Sequence, residues 1–169
     1  MPAGGFPQSK SILSLPCISI SMDTDPKTEL TDRTYKKILA VWALDCAERV
    51  LPLFEENYPD DPRPRSAVEA GHAWVRGEIR VSEVRKAAFS AHAAARSAGK
   101  SSAAFAARSA GHAAATAHTQ RHAVHAAEYA VKAVFPEQRE EERAWQYRHL
   151  LSLTCRPDTA GGDPDPDIA

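Results

Sequence analysis

The chain has the length of one domain and is nearly neutral, which excludes several classes of protein. It contains 169 residues, with 21 Lys plus Arg against 22 Asp plus Glu and a formal net charge of -1. Binders of nucleic acid or of membrane surfaces are normally clearly basic, so we expect neither kind of partner. No apolar run approaches the roughly twenty residues that span a bilayer. We therefore expect a cytoplasmic protein.

Alanine is the dominant residue, and it indicates the fold class. The chain contains 31 alanines and only 7% aromatic residues. Alanine has the highest helix propensity and a poor strand propensity. Its small side chain also allows helix axes to approach closely. The composition predicts an all-α fold, a compact bundle of five to six Ala-rich helices over residues 23–155.

Both ends of the chain differ from its Ala-rich middle. Residues 1–22 carry Pro, Gly and Ser within every apolar stretch, and residues 156–169 form an acidic tail rich in Pro and Gly. Such segments bury too little apolar surface to offset the entropy of ordering. We expect a disordered tail and a disordered leader. The alternative for the leader is that translation begins at Met22 rather than at Met1.

The first two helices are predicted from their periodicity and from their end signals. Apolar residues recur at steps of three and four over residues 31–58, which predicts one helix that Pro52 kinks or restarts. A Pro-rich connector follows. Ser66 and Glu69 then form a capping-box pattern that predicts the start of the second helix. Gly77 predicts its end.

Three or four further helices follow in the second half of the chain. Ser82 is a candidate cap for a helix that runs to Gly99, and Ser101 or Ser102 is a candidate cap for the next. A fifth helix is predicted to end at Phe135, and a sixth covers about residues 137–153. On the third helix, the residues predicted to face inward are Val84, Ala88, Ala91 and Ala95.

Histidine is the first residue type with candidate chemistry. His118, His122 and His125 stand at i, i+4 and i+7, so on one helix they would share a face. Zinc can be held by two histidines at i and i+4, but it needs further ligands, for which His92 or His112 are candidates. A simpler explanation is that these histidines are polar groups in a contact between two helices. We expect no cofactor and no metal. If a metal ion binds, this histidine face is the expected site.

A second candidate is a set of charged residues on and near apolar helices. It comprises Asp45, Arg49, Arg63, Arg65 and Arg96. Arginine offers a rigid fork of donors that can bind a carboxylate, so one interpretation is an anion pocket beside the connector. The other interpretation is a partly buried network of ion pairs. We favour the network.

Nucleophilic chemistry has little support in the sequence. Cys46 falls on the core-facing side of the first helix, where a buried cysteine behaves as a small hydrophobe. The chain has no Gly-x-Ser-x-Gly elbow and no Gly-rich phosphate loop. Its three cysteines are too scattered for a disulfide framework or a zinc cluster. We therefore expect no enzymatic activity.

Several segments together resemble one family of small bacterial helical immunity proteins. They are WALDCAERVLPLF (42–54), DPRPR (61–65), WVRGE (74–78), RKAAFSAHAAAR (85–96) and GHAAATAH (111–118). The similarity covers roughly residues 35–150 and excludes both ends. The resemblance implies an all-helical, non-enzymatic protein that binds and neutralises a toxin encoded nearby. It carries over no catalytic residues.

The final helix is the candidate surface for such a partner. Trp145, Tyr147 and Arg148 are large residues of the types that dominate binding energy at interfaces. A simpler role for Trp145, together with Leu150, is to fix this helix on the bundle. The alternative function is a helical protein, or an enzyme, that binds a small molecule or a metal at the histidine face or at the Asp45/Arg49/Arg63 cluster. The sequence leaves the oligomeric state open.

Overall fold

The computed structural model describes the backbone of residues 26–154 and the side chains of residues 32–154. Over this range the fold is all-α without a strand, which confirms the predicted class. The leader (1–22) and the tail (156–169) lie outside the described residues. The helices are α1 (Pro26–Val50), α2 (Pro52–Glu55), α3 (Arg63–Arg76), α4 (Val81–Ser97), α5 (Ser102–Ala115), α6 (His122–Ala133) and α7 (Arg139–Thr154), with a 3-10 turn at Pro136–Gln138.

The predicted ends of the first two helices are partly wrong. The first helix begins at Pro26 rather than at residue 31. Of the two alternatives predicted at Pro52, the structure has the restart, because α1 ends at Val50 and the chain continues from Pro52 as the single turn α2. The start of α3 is Arg63 rather than Ser66, because prolines with a fixed φ favour the first turn of a helix. Asp61 precedes the N-cap residue Pro62, and its Oδ1 accepts from the Arg63 backbone N–H at 3.2 Å. The end at Gly77 is confirmed by a left-handed φ of 82°.

Some of the later helix ends agree with the prediction, and others differ from it. Arg80 precedes α4 in extended conformation, and its backbone N–H donates to Glu83 Oε2 at 2.9 Å, so Ser82 lies inside the helix rather than at its cap. Ser101 is the N-cap of α5, with its Oγ accepting from the Ala104 backbone N–H at 3.1 Å. The last helix starts two residues later than predicted, because Pro136–Gln138 form a 3-10 turn.

Helix α5 lies at the centre of the bundle. It packs against α1, α2, α3, α4 and α6, while α7 packs on the outside against α1 and α6. Most of the buried side chains are alanines, and the few large ones come mainly from α1, α2 and the segment between them, such as Leu44, Leu51 and Phe54. The four positions predicted to face inward from α4 are buried. None of the described helices is both long and apolar enough to cross a bilayer.

Candidate functional site

Charged and aromatic side chains connect α1 to α7. We call this contact the α1–α7 seam, and its residues are Asp45, Arg49, Glu142, Trp145 and His149. Arg49 Nε donates to Glu142 Oε2 at 3.0 Å, and His149 Nε2 donates to Asp45 Oδ2 at 2.6 Å. Trp145 lies between these pairs. Its ring stacks on the His149 imidazole at 4.7 Å, and the Arg49 guanidinium lies 4.0 Å from its centroid. The seam is therefore a network of paired groups.

The indole N–H of Trp42 and the side-chain amide of Gln146 close the inner side of the α1–α7 seam. Trp42 Nε1 donates to the Gln146 carbonyl at 2.8 Å, and Gln146 Nε2 donates to the Ala127 carbonyl and to Glu142 Oε1, each at 3.1 Å. Glu142 is buried, and both of its oxygens accept hydrogen bonds. These bonds fix the position of α7 along α1 and α6.

The three residues proposed for partner binding have different surroundings. Trp145 is half-buried and packs against the main core, which agrees with a role in fixing α7. Tyr147 and Arg148 point away from the bundle, and Tyr147 is 63% exposed. Leu151, one turn after Tyr147, is also exposed. We call Tyr147, Arg148 and Leu151 the outer α7 face.

The other charged residues of the predicted cluster do not meet Asp45 and Arg49. Arg63 pairs with Asp61 at 2.6 Å and lowers the pKa of that carboxyl. Arg65 makes two hydrogen bonds of 2.8 Å to Glu55. Arg96 lies exposed on α4. Four of the five residues thus stand in separate ion pairs, and the set does not form one anion pocket.

Four histidines meet where α4, α5 and α6 touch, and we call them the histidine cluster: His92, His112, His122 and His125. Nδ1 of His112 lies 3.1 Å from Nδ1 of His122, and the His92 ring meets the His112 ring edge-on at 4.7 Å. The ring centroids of His125 and His112 are 5.4 Å apart. The prediction that His118, His122 and His125 share one helical face is wrong for His118, because His118 lies in the turn between α5 and α6.

Three rings of the histidine cluster, those of His92, His112 and His122, favour the uncharged form. Burial, followed by the neighbouring charges, lowers the pKa of His112 to about 3. The pKa values of His92 and His122 are also lowered, with burial again the largest cause. The short contact between His112 and His122 needs one Nδ1 to donate and the other to accept, so both rings cannot be cationic. Burial of His92, His112 and His122 thus favours their packing as neutral rings.

A second mixed group of titratable side chains lies between α1 and α3. A ligand atom each from Asp45, Glu48 and His72 lies within 4.8 Å of the other two, a spacing at which they could hold a metal ion. His72 Nε2 is 3.1 Å from Glu48 Oε1. Sequence reasoning missed Glu48 and His72. The available signal was Glu48 three residues after Asp45, on the same side of α1.

A groove lies where α1 passes the end of α3 and the start of α4. Its volume is about 530 Å³, and its walls combine basic side chains with Trp74 and Ile79. The Lys36 ammonium lies 5.7 Å from the Trp74 ring centroid and donates to the His118 carbonyl at 3.4 Å. The basic residues that line it are Arg33, Lys36 and Lys37.

Cys46 lies in the core beneath the α1–α7 seam. Burial, reinforced by the negative charges of Glu142 and Asp45, raises the pKa of its thiol far above the ordinary range. The thiolate is the nucleophilic form of cysteine. Cys46 is therefore held as an inert thiol.

Comparison with known families places this arrangement in context. The profile of the family described as "Imm-5 like putative immunity protein" matches residues 29–153. The chain belongs to this family. The Imm-5 like match covers all of α2 to α6, almost all of α1 and α7, and every residue of the histidine cluster, the α1–α7 seam and the outer α7 face. Comparison with curated proteins and with solved structures gives no match.

Proposed function

We propose that this protein is a non-enzymatic, cytoplasmic immunity protein that binds a cognate protein toxin and neutralises it. The observation that carries the proposal is membership of an immunity-protein family over the whole bundle. Its titratable groups support a binding role. Burial raises the pKa of the Cys46 thiol and lowers the pKa values of His92, His112 and His122, and Glu142 is already bonded to Arg49 and Gln146.

The outer α7 face is the proposed contact surface for the toxin. The inner side of α7 is fixed by Trp145 and Gln146, so Tyr147, Arg148 and Leu151 are not needed to hold the helix. Tyrosine and arginine contribute most often to the energetic centre of an interface. A rigid helix that presents them loses little entropy on binding.

The test compares surface variants of matched exposure in a binding assay with the toxin candidate. Tyr147→Ala and Arg148→Ala should each weaken binding at least tenfold, without a change in melting temperature. The controls are Phe89→Ala, at a residue of α4 that is 64% exposed, and Arg85→Ala at an exposed position on the same helix. Both controls should bind as the unchanged protein does. Loss of binding in the α4 variants alone would contradict the proposed surface.

The groove between α1, α3 and α4 supports a second candidate function, the binding of a small anionic molecule. Three basic residues and an indole surround a cavity of about 530 Å³, which lies within the size range of ligand sites. The variants Lys37→Glu and Trp74→Ala would weaken such binding. They would leave toxin binding through the outer α7 face unchanged, so the two functions are separable by experiment.

A further inference from the structure

The mixed group of Asp45, Glu48 and His72 has the chemistry of a metal site, and we call it the carboxylate–histidine site. Its three ligand atoms lie within 4.8 Å of one another. We propose that it binds a divalent transition-metal ion, with Zn²⁺ as the representative. The site lies apart from the histidine cluster, which contains the metal-ligand candidates that the sequence indicates.

The helices bring these ligands together without rearrangement of the backbone. Asp45 and Glu48 are three residues apart on α1, so they share one side of the helix. His72 reaches them from α3, which comes very close to α1 at Gly71. In a tetrahedral zinc site, two ligand atoms that are each about 2.1 Å from the ion lie about 3.4 Å apart. Rotations of the side chains that move an atom by less than about 1 Å are therefore sufficient.

The charges around the site also favour a cation. The two arginines that border it are engaged elsewhere, Arg49 with Glu142 at 3.0 Å and Arg65 with Glu55 at 2.8 Å. Asp45 and Glu48 are paired with imidazoles instead. With neutral imidazoles the two carboxylates carry a charge of -2, which a divalent ion balances. A nitrogen ligand beside two oxygens favours first-row transition ions over Ca²⁺ or Mg²⁺.

His149 completes the arrangement from α7. Its Nε2–H donates to Asp45 Oδ2 at 2.6 Å, which leaves Oδ1 of that carboxylate for the ion. A hydrogen bond to the outer oxygen of a ligating carboxylate orients the ligand and tunes its affinity. Three protein ligands leave a fourth position for water, as in zinc sites that remain open.

The experiment is titration of the full-length, chelator-treated protein with ZnCl₂, followed by calorimetry and by thermal melting. We expect about one Zn²⁺ per chain and a higher melting temperature, because an ion that binds only the folded state stabilises it. Co²⁺ in place of Zn²⁺ should give visible absorption bands of a protein-bound ion. Asp45→Asn, Glu48→Gln and His72→Gln should each weaken Zn²⁺ binding at least tenfold.

The control is His125→Gln in the histidine cluster, which should bind Zn²⁺ as the unchanged protein does. Melting of each metal-free variant verifies its fold. If Asp45→Asn unfolds, the exposed Glu48→Gln decides the question. The proposal is overturned if binding is substoichiometric, if Glu48→Gln and His72→Gln bind as tightly as the unchanged protein, or if His125→Gln alone loses the ion.

Discussion

Gly71 of α3 lies directly against Leu44 of α1. A β-carbon on Gly71 would be 2.5 Å from Leu44 Cδ2 and 3.3 Å from Leu44 Cγ, so a larger residue there would force Leu44 or the helices to shift. Gly111 of α5 has the same relationship to the His92 ring of α4, with the nearest ring atom 2.8 Å from such a carbon. Both glycines precede a histidine in an Ala-Gly-His-Ala segment.

Replacement of Gly71 by alanine should destabilise the protein. Alanine gains about 1 kcal/mol in helix propensity, but the overpacking of a buried contact costs about 1–3 kcal/mol. Leu44 is fully buried, so any shift of its side chain would have to take place within the packed core. We expect a net loss in the free energy of unfolding, measured by urea denaturation. The control is Ser66→Ala at an exposed position inside α3, which should be neutral or slightly stabilising. Equal stability of both variants would contradict the close approach.

Trp145→Ala should destabilise the fold, whereas Tyr147→Ala two residues later should not. Trp145 packs on the main core and stacks on His149, so its removal should cost about 2–4 kcal/mol. Tyr147 is 63% exposed, and exposed substitutions usually change stability by less than about 0.5 kcal/mol. Thermal and urea melting measure both. A loss for Tyr147→Ala as large as that for Trp145→Ala would show that the outer α7 face is part of the fold.

The histidine cluster should make stability depend on pH below neutrality. The pKa values of His92, His112 and His122 are lowered in the folded protein, so the unfolded chain binds more protons once the pH falls below about 6.5. The free energy of unfolding should therefore be highest above that pH. It should decrease as the pH falls from about 6.5 towards 5, before most carboxylates titrate.

A variant of His112 tests this dependence most clearly, since its pKa falls to about 3. His112→Gln should flatten the decrease in stability between pH 7.5 and pH 5, measured by denaturation at each pH. The control is His118→Gln, at an exposed position in the turn before α6. If the two variants have the same slope as the unchanged protein, the cluster is not the source of the pH dependence.

The sequence predicts the fold class and most of the helices because these depend on local properties. Alanine content and periodicity indicate an all-α bundle, and Gly77 and Ser101 mark helix ends that are confirmed. Ser66 and Ser82 fail as caps because a better local solution exists nearby. Prolines start α3 at Arg63, and a Glu83 hydrogen bond starts α4.

The candidate sites are harder to predict because they depend on contacts between distant residues. Asp45 and His149 are 104 residues apart in the chain, and no periodicity relates them. The histidine spacing suggested one helical face, but a turn separates His118 from α6. His92 and His112 were candidates to approach His122, and their contact depends on the space at Gly111.

The most direct test of the proposed immunity function is a growth assay. Each toxin candidate encoded next to this gene is expressed in a sensitive host, with and without this protein. Co-expression of this protein should restore growth against one of these toxins. Protection should be lost with Tyr147→Ala combined with Arg148→Ala, and retained with Phe89→Ala. If this protein restores growth against none of the toxic neighbours, or if no neighbour is toxic, the immunity function is contradicted.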